Sequence, residues 1–92
     1  MSKSAVHMIV RGRVQGVGFR FFVRGQASVM GVAGWVKNLP DGSVEIHAEA
    51  EREVLEKFVE KVRRGPVFAH VDEIVEDWTE PENAYYNFNI EF

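Results

Sequence analysis

The alternation of apolar and polar positions predicts two kinds of element in the first third of the chain. Residues 6–12 alternate, with Val6, Met8 and Val10 on one face, which is typical of a half-buried strand. Beyond a glycine-containing turn, apolar residues recur at helical spacing: Phe19, Phe22, Val23, Ala27 and Met30. Gly31 follows as a stop signal, so this first helix is expected to end there.

The remaining pattern predicts a hairpin, a second helix and two further strands. These elements are strands at 32–39 and 43–50, a helix at 51–64, and strands at 70–78 and 85–92. Pro-Asp-Gly at 40–42 forms the tight turn of the hairpin. The second helix has acids in its first turn and bases near its end, which suits the helix dipole.

The order of these elements is β-α-β-β-α-β plus a terminal strand. It predicts one α+β (α/β) domain over residues 1–92, a ferredoxin-like split β-α-β sandwich with both helices on one face of a mainly antiparallel sheet. In this topology the first two strands run in the same direction, with the third between them. The turn at 15–20 and Asn38 should therefore be neighbours at one edge of the sheet.

Length and composition exclude several classes of protein. The 92 residues suit one compact domain, and no apolar run has the length of a membrane span or the pattern of a signal peptide. The chain has no cysteine, which excludes disulfides, zinc–thiolate sites and thiol nucleophiles. We expect a cytoplasmic monomer.

Charge is distributed unevenly along the chain. Residues 1–40 contain six Lys and Arg and no acid, a formal charge of +6, whereas residues 41–92 carry −9. One interpretation is that this distribution of charge arose by chance and that the acidic half is simply solvated. The other is that the N-terminal half contains an anion site, kept free of competing carboxylates. The acidic half opposes nucleic-acid binding, and the strand at 43–50 lacks the aromatic residues of an RNA-recognition sheet.

The segment RVQGVGFRFF, residues 13–22, bears on this choice. Gly16 and Gly18 permit backbone dihedrals that turn successive N–H groups inward, and the following helix adds unpaired N–H donors. Arg20 lies in the first helical turn, where the dipole repels it unless an anion is present. We expect an oxyanion to bind backbone amides in the segment Gln15, Gly16, Val17, Gly18, Phe19 and Arg20. A tight strand–helix connection with an exposed arginine remains the alternative.

Two familiar phosphate motifs are absent from this segment. A dinucleotide fingerprint would need glycine at position 21, which is Phe21, and no Gly-Lys-Ser/Thr occurs anywhere in the chain. Asn38 is a second candidate, although Asn-Leu-Pro-Asp-Gly is also an ordinary turn sequence. Its side-chain amide could hold a water opposite the anion.

The histidines do not suggest a metal site. His7, His47 and His70 are dispersed without ligand spacing, so we predict no bound metal and no cofactor. Glu45 and Glu49 share a strand face with His47 and could bind a metal weakly. We prefer the interpretation that these three residues lie on an open, solvated face of the sheet.

Four segments in this order resemble the acylphosphatase family. They are GRVQGVGFR at 12–20, GVAGWVKN at 31–38, DGSVE at 41–45 and GPVFAHV at 65–71. The similarity covers nearly the whole chain and implies a ferredoxin-like sandwich that hydrolyses acyl phosphates to a carboxylate and inorganic phosphate. By position, Arg20 matches the family's phosphate-binding arginine and Asn38 the asparagine that orients the attacking water. The amides of residues 15–20 match the phosphate cradle.

The resemblance leaves the physiological substrate open. Carboxyl phosphates, carbamoyl phosphate and phosphorylated protein side chains all fit the chemistry, with inorganic phosphate or another oxyanion as product or inhibitor. A non-catalytic anion-binding or regulatory module on the same fold is the main alternative. Retention of both Arg20 and Asn38 favours the enzyme, because binding alone needs only the amides and the arginine. A domain like the N-terminal part of hydrogenase-maturation carbamoyltransferases, and then a sheet-face RNA binder, are less favoured.

Overall fold

A computed structural model describes residues 2–92, which form two helices on one face of a five-stranded sheet. The elements are β1 (Lys3–Arg13), α1 (Phe19–Met30), β2 (Ala33–Asn38), β3 (Val44–Glu51), α2 (Arg52–Arg64), β4 (His70–Thr79) and β5 (Phe88–Glu91). The predicted order of elements is confirmed. The last strand is shorter than the predicted 85–92, and β1 begins earlier than predicted. Neither helix is long and apolar enough to cross a membrane.

The sheet has the strand order β4-β1-β3-β2-β5. β3 lies between β1 and β2 and pairs antiparallel with both, so β1 and β2 run in the same direction, as the topology predicted. β5 pairs in parallel with β2, from Gly34 opposite Phe88 to Lys37 opposite Glu91. The sequence had not indicated a partner for this terminal strand.

The core lies between the helices and the inner face of the sheet. The residues predicted to face inward on β1 are fully buried, and the same holds for Val23 and Ala27 of α1. From β3 the core receives Val44, Ile46 and Ala48. From α2 the core receives Leu55, Phe58 and Val62. Burying one such large apolar side chain contributes about 1.5–3 kcal/mol, so this shared core holds both helices against the sheet.

The opposite sheet face departs from the prediction of a solvated row. His47 is 7% exposed and Glu49 only 2% exposed, because the segment 80–87 between β4 and β5 covers them. The Glu49 carboxylate accepts the backbone N–H groups of Glu82 at 2.8 Å and Asn83 at 3.0 Å. The Tyr85 ring lies 5.2 Å from that of His47. The prediction of an open face was therefore wrong for these two residues.

The buried carboxyl of Glu49 has a lowered pKa. Burial acts to raise its pKa, but the Glu82 N–H, the His47 ring and the Asn83 N–H outweigh burial by stabilising the charged form. Glu45, on the same strand face, is less buried and lies 2.7 Å from His7 Nε2.

Candidate active site

The connection between β1 and α1 forms a turn with two left-handed residues. Gly16 has φ 75° and Gly18 has φ 77°, and Gly18 is the N-cap of α1. A Cβ atom at either position would meet no other atom within 4 Å. Backbone conformation rather than crowding therefore requires glycine here, since other residues rarely adopt this conformation.

The N-terminus of α1 has free hydrogen-bond donors. Within residues 2–92, no backbone N–H group from Gln15 to Arg20 donates to a backbone carbonyl, and the Phe22 N–H is the first to do so, bonding Gly18 O at 3.0 Å. The first turn contains no acidic residue, and no side chain caps it. Free N–H groups at the positive end of a helix dipole attract an anion.

Arg20 and Asn38 open onto the same small cavity. It has a volume of about 100 Å³ and is lined by Val14, Gly16, Gly18, Phe19, Arg20, Phe21 and Asn38. The expected proximity of the glycine turn to Asn38 is confirmed. A larger groove of about 480 Å³, which includes Arg24 and Phe88 in its lining, contains neither Arg20 nor Asn38.

Arg20 is partly buried and has no carboxylate partner. No Asp or Glu within residues 2–92 forms a salt bridge with it. Its guanidinium carbon lies 5.1 Å from the centre of the Phe92 ring. The guanidinium N–H groups consequently remain available for an oxyanion.

Asn38 is the last residue of β2 and pairs with Val44 of β3. Its side-chain Oδ1 is buried and has no hydrogen-bond partner among residues 2–92. A buried acceptor without a donor costs about 1–3 kcal/mol, and such groups are uncommon in folded proteins. Its position in the cavity lining suggests that a ligand or water supplies the donor.

Two of the six predicted cradle residues, Gln15 and Val17, do not line this cavity. Gln15 Nε2 donates to Leu39 O at 2.8 Å and to Ser43 O at 2.9 Å. Val17 is partly buried against the core. The sequence pointed only to the backbone amide of Gln15 and did not indicate these side-chain bonds, since one glutamine in a turn gives no local signal of a distant partner.

The turn that follows Asn38 is held by its own hydrogen bonds. The Leu39 N–H donates to Ser43 O at 2.9 Å, and the Gly42 N–H donates to Leu39 O at 3.1 Å. The Asp41 carboxylate accepts both the hydroxyl and the backbone N–H of Ser43. These two bonds, and to a smaller degree the Arg11 charge, hold the pKa of Asp41 below its usual value. Hydrogen bonds within the turn thus fix its conformation directly after Asn38.

One group of side chains has the composition of a metal site. Ligand atoms of His47, Glu49 and Glu82 lie within 4.8 Å of one another. The group belongs to the covered outer face of the sheet, and none of the three lines the cavity of Arg20 and Asn38. His47 Nε2 lies 2.7 Å from Glu49 Oε2, and Glu49 also accepts the backbone N–H groups of residues 82 and 83, so hydrogen bonding already accounts for the burial of His47 and Glu49, while Glu82 is exposed.

Known proteins resemble this chain over nearly its full length. The family model described as Acylphosphatase matches residues 6–90. An acylphosphatase from Bacillus velezensis is 48% identical over 86 residues, which are 94% of this chain and 96% of the relative. The crystal structure of acylphosphatase from Bacillus subtilis superposes with a TM-score of 0.94 at 43% identity, covering 97% of this chain and 99% of that one.

A longer protein contains a similar fold. The crystal structure of full-length HypF in the phosphate- and nucleotide-bound form matches with a TM-score of 0.87 and 29% identity. The match covers 99% of this chain but 12% of HypF. The relatives that match this chain over most of their own length are therefore the better guide to its family. The family model and the identities together show that this chain belongs to the acylphosphatase family of enzymes.

Proposed function

We propose that this protein hydrolyses acyl phosphates to a carboxylate and inorganic phosphate without a metal ion, using Arg20, Asn38 and the backbone amides of residues 15–20. One observation carries the proposal. The buried Asn38 Oδ1 has no protein donor within residues 2–92, and Asn38 lines the same cavity as Arg20 and the glycine turn.

The phosphate group would be held by two kinds of donor. Backbone N–H groups from Gln15 to Arg20 lie in the turn and at the helix N-terminus and make no backbone hydrogen bond, so they can meet negative charge without first breaking one. Arg20 adds a charged fork that can contact two phosphate oxygens at once. Together these donors stabilise charge on the equatorial oxygens in the transition state.

Asn38 would orient the attacking water. Its Oδ1 can only accept, so a proton of the water is directed towards Asn38 and an oxygen lone pair is left for phosphorus. An acceptor adds nothing to anion binding. The arrangement therefore favours an enzyme over the alternative of a non-catalytic anion-binding or regulatory module.

The reaction needs few other groups. The water oxygen forms a bond to phosphorus while the bond between phosphorus and the acyl oxygen breaks, and the carboxylate leaves with the electron pair. A carboxylate departs unprotonated, so no general acid is required. We propose that the second proton of the water passes to a phosphate oxygen of the substrate itself. The loose transition state chiefly requires that the water and the phosphate are positioned and that the developing charge is stabilised.

This chemistry predicts the class of substrate. Alkyl phosphate monoesters have poor leaving groups and usually need a metal or an acid, so their hydrolysis should be negligible. Acyl phosphates, including carbamoyl phosphate and phosphorylated carboxyl side chains of proteins, carry the necessary leaving group. Inorganic phosphate should inhibit by occupying the same donors.

The test is hydrolysis of benzoyl phosphate in the presence of a chelator. Wild type is compared with Arg20→Gln and with Arg24→Gln, a matched control in the same helix whose side chain lines the separate groove. We expect turnover by wild type and by the control, and its loss in Arg20→Gln. A folded wild type that binds phosphate but gives no turnover would instead favour the binding module.

A further inference from the structure

We infer that the Gln15 side chain is a positioning residue that holds Asn38 in register with the phosphate cradle. This inference rests on the proposed function. It concerns the side chain of Gln15, whereas the cradle uses the backbone N–H of the same residue.

The contact is a two-donor bridge. Gln15 Nε2 lies 2.8 Å from Leu39 O and 2.9 Å from Ser43 O, so one amide group can give both of its protons to one turn. The two carbonyls belong to the first and last residues of the 39–43 turn, directly after Asn38. Gln15 is partly buried, which limits competition from solvent.

The sheet topology explains why a bridge matters here. The cradle follows β1 and Asn38 ends β2, and these two strands do not pair with each other because β3 lies between them. Hydrogen bonds within the 39–43 turn connect Leu39 with Ser43 but do not reach the cradle. The Gln15 side chain joins the two halves of the site directly.

A loss of this bridge should affect the attacking water more than the bound phosphate. In-line attack depends on the placement of the water, and an error of about 1 Å can cost on the order of a hundredfold in rate. The phosphate donors are backbone N–H groups and Arg20, which the Gln15 side chain does not replace. We therefore expect a fall in kcat with little change in phosphate affinity.

The experiment is a double-mutant cycle with benzoyl phosphate. Gln15→Met keeps a chain of similar length and removes both donors, and it is introduced into wild type and into Asn38→Ala. We expect kcat to fall about tenfold in the wild-type background and to change little further in the Asn38→Ala background. The inhibition constant of inorganic phosphate should stay unchanged in Gln15→Met.

The chain offers a matched control. Gln26, its other glutamine, lies in α1 and forms no side-chain hydrogen bond within residues 2–92, so Gln26→Met should keep wild-type kcat. Gln15→Leu, which also lacks the donors and adds no charge beside the cradle, serves as a second variant. The bridge can also be tested in wild type, without any substitution, by measuring how fast the Gln15 side-chain amide protons exchange with solvent. We expect this exchange to be slow.

Several results would overturn the inference. They are unchanged kcat in folded Gln15→Met, equal losses of kcat in both backgrounds, weaker phosphate inhibition that accounts for the loss, or rapid exchange of the Gln15 side-chain protons. An inactive but folded wild type would refute the proposed function itself, and with it the positioning role. The activity of the wild type thus distinguishes a failure of the positioning role from a failure of the proposed function.

Discussion

The guanidinium carbon of Arg20 lies 5.1 Å from the centre of the Phe92 ring, beside the cavity. Phe92 follows β5, and β5 is held by its parallel pairing with β2. A cation–π contact at an exposed site contributes about 0.5–1 kcal/mol and does not neutralise the charge. Phe92, directly after β5, therefore places an aromatic ring beside Arg20 and leaves the guanidinium charge for a ligand.

Arg20→Lys should lose most of the acylphosphatase activity. An ammonium group cannot reproduce the two-pronged contact of a guanidinium with phosphate, so we expect kcat/KM for benzoyl phosphate to fall about 100-fold or more. Arg24→Lys, one turn further along α1, is the matched control. Near-normal turnover by Arg20→Lys would refute the proposed role of Arg20.

Asn38→Ala should separate turnover from binding. Removal of the acceptor leaves the water unoriented, and we expect kcat to fall about 100-fold with little change in the inhibition constant of phosphate. Asn89→Ala is the control, because Asn89 is exposed on β5 and bonds only the neighbouring Asn87 side chain among residues 2–92. A large loss of phosphate binding in Asn38→Ala would show that Asn38 is a ligand or a structural turn residue.

Two glycines near Arg20 should respond to alanine in opposite directions. Gly25 lies in the exposed interior of α1 with open space around its Cα, so Gly25→Ala should raise the free energy of unfolding by about 1 kcal/mol. Gly18 has φ 77°, and an alanine there costs about 1–2 kcal/mol or forces the turn to rearrange. Urea denaturation of both variants measures this difference.

The same pair also tests the phosphate cradle. Gly18→Ala should weaken inhibition by phosphate because the rearranged turn misdirects its N–H groups, whereas Gly25→Ala should leave inhibition unchanged. Equal phosphate affinity in folded Gly18→Ala would argue that the conformation at residue 18 does not contribute to anion binding.

Glu49→Gln should reveal a pH-dependent contribution to stability. The lowered pKa means that the native state favours the charged carboxyl, so its contribution is present above the ordinary pKa of 4.5 and is lost as the pH falls through the lowered value. At pH 7 we expect the free energy of unfolding to fall by about 2 kcal/mol, the typical magnitude of hydrogen bonds to a charged group. The difference in the free energy of unfolding between wild type and Glu49→Gln should become smaller at acidic pH.

Glu80→Gln is the control for this measurement, because Glu80 is exposed in the segment that covers Glu49. Its stability should follow that of wild type between neutral and acidic pH. A difference between wild type and Glu49→Gln that stayed constant with pH would contradict the role of the charged carboxylate.

Much of the site could be predicted from the sequence. The strand periodicity of Val6, Met8 and Val10 and the helical stripe containing Val23 and Ala27 predicted which faces are buried, because these patterns repeat within one element. The order of elements then predicted that the glycine turn and Asn38 lie together. The local sequence made Arg20 and Asn38 candidates for anion binding and water binding, the resemblance to the family assigned their roles, and these roles remain proposals.

Other features were decided only in the tertiary structure. The parallel pairing of β5, the cover over His47 and Glu49, and the bridge from Gln15 to Leu39 and Ser43 all join segments that are distant in sequence. Local periodicity reports which face of one element is apolar. It carries no signal of the hydrogen bonds that a single side chain makes to the backbone of another segment, so these contacts depend on the folded arrangement of the sheet.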